Sequence, residues 1–371
     1  TFLVRSGVLV SVHSFAADPK RGIFILAFLV IMIGGALTLY AWRAPKLKSQ
    51  AGFELGARES FLLFNNILLV IAAATVFAGT MAPLISDALG LGTLSVGAPY
   101  FNPTFMLSML PLAALVAIGI SASWKRGRLS EKKRMLFMTL AVAAVVACVV
   151  VFAVYSNGKI LTPVAATLGI WIVVTSLVDP IDRLRRKLSL PRSVIGMTVA
   201  HIGLGLFVLS LTTVESFTVE HDVSLARGAS TAVGAYQFRF DGVKPIEGPN
   251  YDGVEGTVVV TRNGEPLTVL YPAKRQYYVQ HTTTTEAAIE MHYGSNILVA
   301  LGEDLGAGKW SVRIQMRPLV NLVWLGAFIM ALGGGIAASD RRYRAAARTS
   351  EETAGVPVPD ATHGPAGVGS R

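Results

Sequence analysis

Six histidines and one cysteine are the side chains of this 371-residue chain best suited to ligation, proton transfer or nucleophilic attack near neutral pH. The histidines are His13, His201, His221, His281, His292 and His363. No two lie at close metal-ligand spacing, and no HExxH, CxxC or phosphate-binding glycine loop occurs. Cys148 lies in AACVVV, an apolar setting in which a thiol is expected to be packed and inert. His201 carries the most information. It stands in MTVAHIGLGL, eight residues into an apolar stretch, or about 12 Å along a helix at 1.5 Å per residue. An ionisable ring at that depth is costly and either pairs with a neighbouring helix or serves function. One reading is a neutral imidazole hydrogen-bonded between helices. The other is an axial ligand to haem iron, for which neutral imidazole is the usual group. The small neighbours Ala200, Gly203 and Gly205 would let a planar macrocycle approach. A bis-histidine site needs a second ligand, and no other histidine falls in an apolar span. That ligand is expected from further sequence, from another subunit, or from a weaker donor such as methionine.

Three other groups invite a role. His13, in VRSGVLVSVHSFAADP, is either an interfacial surface histidine or a ligand for a metal or haem presented from outside. Asn65 and Asn66, in RESFLLFNNILLV, are amides in an apolar run and are expected to hydrogen-bond between helices. Tyr100 and Phe101, in VGAPYFNPTF, are expected on a loop, as membrane-interface belt residues or as the wall of a planar apolar ligand.

The elements that must position these groups follow from composition. Hydrophobic residues make up 52% and charged residues 15%, with mean hydropathy +0.54. Soluble domains carry about 25% charged residues, so a purely soluble protein and a disordered one are both excluded. A single cysteine excludes a disulfide scaffold. A membrane span needs roughly 20 apolar residues. Seven segments qualify: Gly22–Trp42, Phe61–Ile85, Met106–Trp124, Met135–Tyr155, Ile160–Val178, Ser193–Thr213 and Leu319–Ser339. Pro111 and Pro163 make the third and fifth the least clean. Loops 43–60, 125–134 and 179–192 and the tail 340–371 hold 20 of the 33 basic residues, whereas 86–105 holds none. This asymmetry places the basic loops and the tail in the cytoplasm and residues 1–21 outside, with Lys20 and Arg21 as mild violations. The net charge of +10 is thus a topology signal and implies no nucleic-acid partner.

Between the sixth and seventh spans the period changes to two. Tyr236, Phe238 and Phe240 alternate, as do Trp310, Val312, Ile314 and Met316. GTVVVTRNGEPLTVLY predicts a hairpin turning at Asn263-Gly264, and Asn296–Leu301 a further strand. The chain therefore divides into a membrane region with an outer N-terminal loop (1–213), an outer β-rich domain (214–318), a last span (319–345) and a disordered cytoplasmic tail (346–371). The fold class is mainly α: a polytopic helical membrane protein with a small β-rich insert. The outer insert has 12 acidic and 9 basic residues and no cysteine. The chain opens in mid-pattern without Met, which suggests a piece of a longer protein.

Several runs, in order, resemble the CcmF-type cytochrome c haem lyases of the multi-component maturation system. They are TFLVRSGVLVSVHSFAADPKRGIF, RESFLLFNNILL, SVGAPYFNPTF, MTVAHIGLGL, LYPAKRQYYVQHTTTTEAAI, LVALGEDL and RPLVNLVWLGAFIMALGGGIAASDRRYR, covering nearly all of residues 1–345. The likeness is to the C-terminal part of such a protein; the family's WWD motif and upstream histidines are not in this sequence. The resemblance implies that His13 is the second of two outer histidines holding delivered haem. It also implies that His201 is one of two membrane histidines ligating a resident haem b. It implies an inner-membrane protein with its insert in the periplasm. Such a protein takes haem from the chaperone CcmE and joins it to the CxxCH thiols of an apocytochrome c presented by CcmH and CcmI type subunits. Its resident haem draws electrons from quinol. Competing readings are a transporter of haem or another solute, for which the repeated halves with discontinuous helices are missing, and a non-enzymatic assembly platform.

Overall fold

The computed structural model describes residues 19–46, 54–92, 94–123, 129–154, 161–278, 283–291 and 294–340. Among these residues, seven helices are long and apolar enough to cross a membrane, as the hydropathy pattern predicts. They are α1 (Pro19–Arg43), α2 (Arg58–Ala88), α3 (Ala98–Gly119), α4 (Leu129–Val154), α5 (Leu161–Arg185), α6 (Arg192–Phe217) and α7 (Asn321–Ala338). Among the described residues, ten strands lie between α6 and α7.

One boundary differs from expectation. Residues 98–105, expected as loop, form the first two turns of α3. Pro99 sits at the start of the helix, where a missing N–H costs nothing. Pro103 and Pro111 lie inside it, as membrane helices allow.

Packing in the bundle rests on small residues. α6 and α7 run antiparallel, with Gly196, Ala200 and Gly203 set against Gly326, Met330, Gly333 and Ala337. A β-carbon built on Gly203 would stand 2.7 Å from the Gly326 carbonyl oxygen, and one on Gly326 would stand 2.8 Å from that of Gly203. Backbone thus lies on backbone, the arrangement that close dispersion contact favours where lipid removes the hydrophobic drive. Two hydrogen bonds pin the ends of this pair. The Ser193 amide donates to Oδ2 of buried Asp340 at 2.9 Å, and the Ser210 hydroxyl donates to the Leu319 carbonyl at 2.7 Å.

α6 meets α5 on its opposite side. Gly205 and Gly169 face each other, Thr162 donates to Ser216 at 2.7 Å, and Thr198 donates to the Ser176 carbonyl. α5 in turn carries α4, where Trp171 Nε1 donates to Thr139 at 3.0 Å, and it also contacts α3. α3 pairs with α2, whose Gly79 makes room for the Tyr100 ring. Most of the apolar side chains of α1 remain exposed.

The strands form a two-sheet sandwich. One sheet orders β1 (Val219–Ala226), β10 (Lys309–Pro318), β9 (Ser295–Gly306) and β8 (Ala288–Met291). The other orders β2 (Ser230–Val233), β3 (Tyr236–Glu247), β4 (Tyr251–Arg262), β6 (Ala273–Tyr277) and β7 (Thr283–Glu286), with β5 (Glu265–Leu270) also pairing β4. The alternating residues point inward as predicted: Phe238, Phe240, Val258, Val260, Ile297, Val299, Leu301, Val312 and Ile314 are fully buried. Asn263 (φ 52°) and Gly264 (φ 88°) turn the predicted hairpin, both with the positive φ that its tight turn demands. The sandwich is joined to α7 by a reciprocal amide pair, Asn296 with Asn321, at 2.9 and 3.0 Å.

The helix seam makes a paired prediction. Gly333→Ala should destabilise the protein by about 1–3 kcal/mol, the usual cost of overpacking. Gly334→Ala, with nothing within 4 Å of its added methyl, should be neutral or stabilising by up to about 1 kcal/mol. Thermal unfolding in nanodiscs measures both, and equal melting temperatures would contradict the seam.

On the sandwich surface, Arg313 donates two 2.8 Å hydrogen bonds to the Asp222 carboxylate. These bonds hold that carboxyl below the ordinary carboxylate range. A lowered folded-state value means that the contribution is present above the unfolded pKa and is lost as pH falls through the folded one. Arg313→Gln should move the Asp222 titration back up toward the ordinary range, as followed by carboxyl NMR.

Candidate functional site

His201 is the tenth residue of α6, about 13 Å from its Arg192 end. Its Nδ1 lies 2.7 Å from the Met197 carbonyl oxygen, one turn back. A carbonyl only accepts, so Nδ1 carries the proton and Nε2 keeps its lone pair. This is the tautomer that a metal-bound imidazole adopts, with the second nitrogen oriented by a backbone carbonyl. The helix backbone therefore presents Nε2 as a donor to a metal.

The surroundings differ from the sequence expectation in one respect. Ala200, Gly203 and Gly205 do not open space for a planar ring. Ala200 and Gly203 are taken up by α7, and Gly205 by α5. At about 100° per residue, His201 lies about 60° around α6 from the row facing α5 and about 130° from the row facing α7. Met197, Leu204 and Val208 share that flank.

Arg58 ties α2 to α3. At the start of α2, it donates from Nε to the Ala122 carbonyl and from Nη2 to the Ile120 carbonyl, both at 3.1 Å. These bonds cap the C-terminal end of α3. A basic residue opening α2 is the sequence signal for this cap.

The remaining candidates separate. His13 lies outside the described residues, as do His281, His292 and His363. His221 sits on β1 opposite Ile314, exposed. Asn65 and Asn66 do not bridge helices: Asn65 Nδ2 reaches Asn66 Oδ1 at 3.4 Å. Adjacent residues on a helix point in different directions, and this pair turns toward the open side of α2. Cys148 is exposed on α4 and not packed. Tyr100 packs on Gly79 and donates to the Thr75 carbonyl at 3.0 Å, with Phe101 edge-on to it at 5.2 Å. Both rings hold α3 to α2. Among the described residues, no three His, Cys, Asp or Glu side chains converge to hold a metal ion.

A family profile for the CcmF C-terminal β-sandwich matches residues 216–318, the strands between α6 and α7. The cytochrome c-type biogenesis protein CcmF of Pseudomonas aeruginosa is 43% identical over 94% of this chain and 54% of its own length. CcmF of Escherichia coli is 41% identical over 93% of this chain and 53% of its own length. The chain belongs to the CcmF family. It spans about half the length of the curated relatives it matches. A solved structure described as cytochrome c haem lyase CcmF shares the fold, with a TM-score of 0.67 and 20% identity over 86% of this chain and 50% of the other. The family profile and the sandwich coincide. CcmF membership thus accounts for a β-sandwich placed between the last two helices of a polytopic membrane bundle.

Proposed function

We propose that this CcmF-family chain is the C-terminal part of a cytochrome c haem lyase that handles haem at two places. The observation that carries the reading is the His201 imidazole, whose Nδ1–H donates to a backbone carbonyl and whose Nε2 is left as a ligand in the apolar interior. The residues fit a haem ligand. Haem supplies an iron that changes oxidation state and, on the delivered molecule, vinyl groups to which the two CxxCH thiols add. The chain's own part is to hold and orient. Met197 fixes the ring of His201 through its carbonyl, and α5 and α7 fix the helix. The Met197–Leu204–Val208 flank is the side of α6 left for a resident haem b, because the other two sides are occupied. His13 holds the delivered haem on the outer side. The basic loops lie in the cytoplasm and the sandwich in the periplasm of a bacterial inner membrane. There the sandwich meets the chaperone CcmE and the CcmH and CcmI type subunits that present apocytochrome c. Quinol is the electron donor. Side chains that only bind and orient suffice here, since cofactor and thiols carry the chemistry.

His201→Ala in the full-length membrane protein should abolish or shift the haem absorption band, while His221→Ala should leave it unchanged. An unaltered spectrum in the His201 variant would reject the ligand. His13→Ala should abolish cytochrome c maturation while leaving apocytochrome binding intact in a pull-down.

A further inference from the structure

The far end of the sandwich breaks the rule that inner-facing strand positions are apolar. Along β4 the inward residues run Val260, Val258, Gly256 and Val254, and then Asp252. Along β3 they run Phe238 and Phe240. A register shift at Gly242 then changes the parity, so that Pro245 and Glu247 face inward opposite Val254 and Asp252. The outward pairing of Lys244 with Glu255, at 2.9 Å, confirms that parity. Along β9, Ile297, Val299 and Leu301 give way to Glu303, and along β10, Ile314 and Val312 give way to Trp310. Beyond the packed core, the two sheets therefore open into a cavity of about 510 Å³ walled by their own inner faces.

The charge of this mouth is one-sided. Among the described residues, Glu247, Asp252, Glu303 and Asp304 line it, against Lys274 alone. Lys274 is only 14% exposed and is spent on Glu303 at 2.7 Å across the sheets. The rest of the chain is strongly basic. No three of these carboxylates converge on a metal ion, so the matching ligand is an extended organic cation. Trp310 offers an aromatic face for an ammonium or guanidinium group. β7, the end strand of its sheet among the described residues, borders the cavity at Thr283. Trp310 lies eight residues along β10 from Pro318, about 26 Å from the helices. The mouth therefore opens away from the bundle.

We propose that this cavity docks an extended, lysine- or arginine-bearing segment of a water-soluble polypeptide. The complementarity is electrostatic, so it sets on-rate and partner choice and weakens with salt. The proposal goes beyond the haem reading and does not depend on it.

The test uses the full-length protein in nanodiscs of uncharged lipid. The probe is a fluorescent alternating Lys-Thr peptide, read by anisotropy against an alternating Glu-Thr peptide. The native protein should bind the basic probe in a salt-sensitive manner and not the acidic one. The double variant Glu247→Gln/Asp252→Asn should weaken binding on the order of tenfold, as two charge-assisted contacts would. The variant Glu255→Gln/Glu265→Gln, which removes the same charge from outside the cavity, should bind as the native protein does. So should His201→Ala, which separates this test from that of the haem ligand. Failure of the basic probe to bind, equal binding of both probes, or equal weakening in the two double variants would overturn the proposal.

Discussion

The structure depends on the approach of two helix backbones to within the space of a missing methyl group. Gly196, Gly203, Gly326 and Gly333 each cost about 1 kcal/mol of helix propensity relative to alanine. That cost is offset only if α6 and α7 touch along the whole seam, and they do. The contact removes rotational freedom from α6: with α7 on one side and α5 on the other, the remaining flank is determined. His201 sits on that flank. Its orientation is then set by a bond within its own helix, to Met197. A ligand held by its own backbone needs no partner side chain, which leaves its second nitrogen available in an apolar setting.

The same seam explains why the sandwich is inserted at this point in the chain. Its first strand follows the end of α6 directly, and its last strand leads into α7. Two strands emerging from helices in backbone contact begin side by side, and β1 and β10 pair antiparallel from Val219 with Met316 onward. The Ser210–Leu319 bond and the Asn296–Asn321 pair close the joint. Helix seam and sheet ladder thus form one continuous antiparallel unit across the membrane boundary.

Much of this was legible in the sequence, for physical reasons that can be named. Seven apolar lengths, a charge bias between alternate loops and a change of period from 3.6 to 2 are properties of single segments. They predict helices, strands and the hairpin at Asn263-Gly264 without knowledge of neighbours. Whatever depends on which segments touch was not legible. Hydropathy does not separate a side chain facing lipid from one facing a helix. Cys148 was therefore expected to be packed, and Asn65 and Asn66 were expected to reach across helices. Ala200, Gly203 and Gly205 were correctly noticed as small, yet smallness admits a backbone as readily as a ligand, and here the backbones fill the space. Pro99 marked a helix start and was read as a loop, because proline signals both.

The polar inner face of the sandwich belongs to the same class. Alternation along β3 and β4 is regular, but a single bulge at Gly242 inverts which residues face in. Read as a straight strand, β3 would put Lys244 and Ile246 inside and Glu247 outside. The ladder puts Glu247 inside, opposite Asp252, in a sandwich whose packed core ends two residues earlier. Placing two carboxylates on one inner wall leaves their charge uncompensated by the single lysine there, which is already bound to Glu303. A fold that can bury valine at every other inward position and instead exposes acids at its mouth gives up apolar burial there. That loss is consistent with a surface that serves recognition and contributes little to stability.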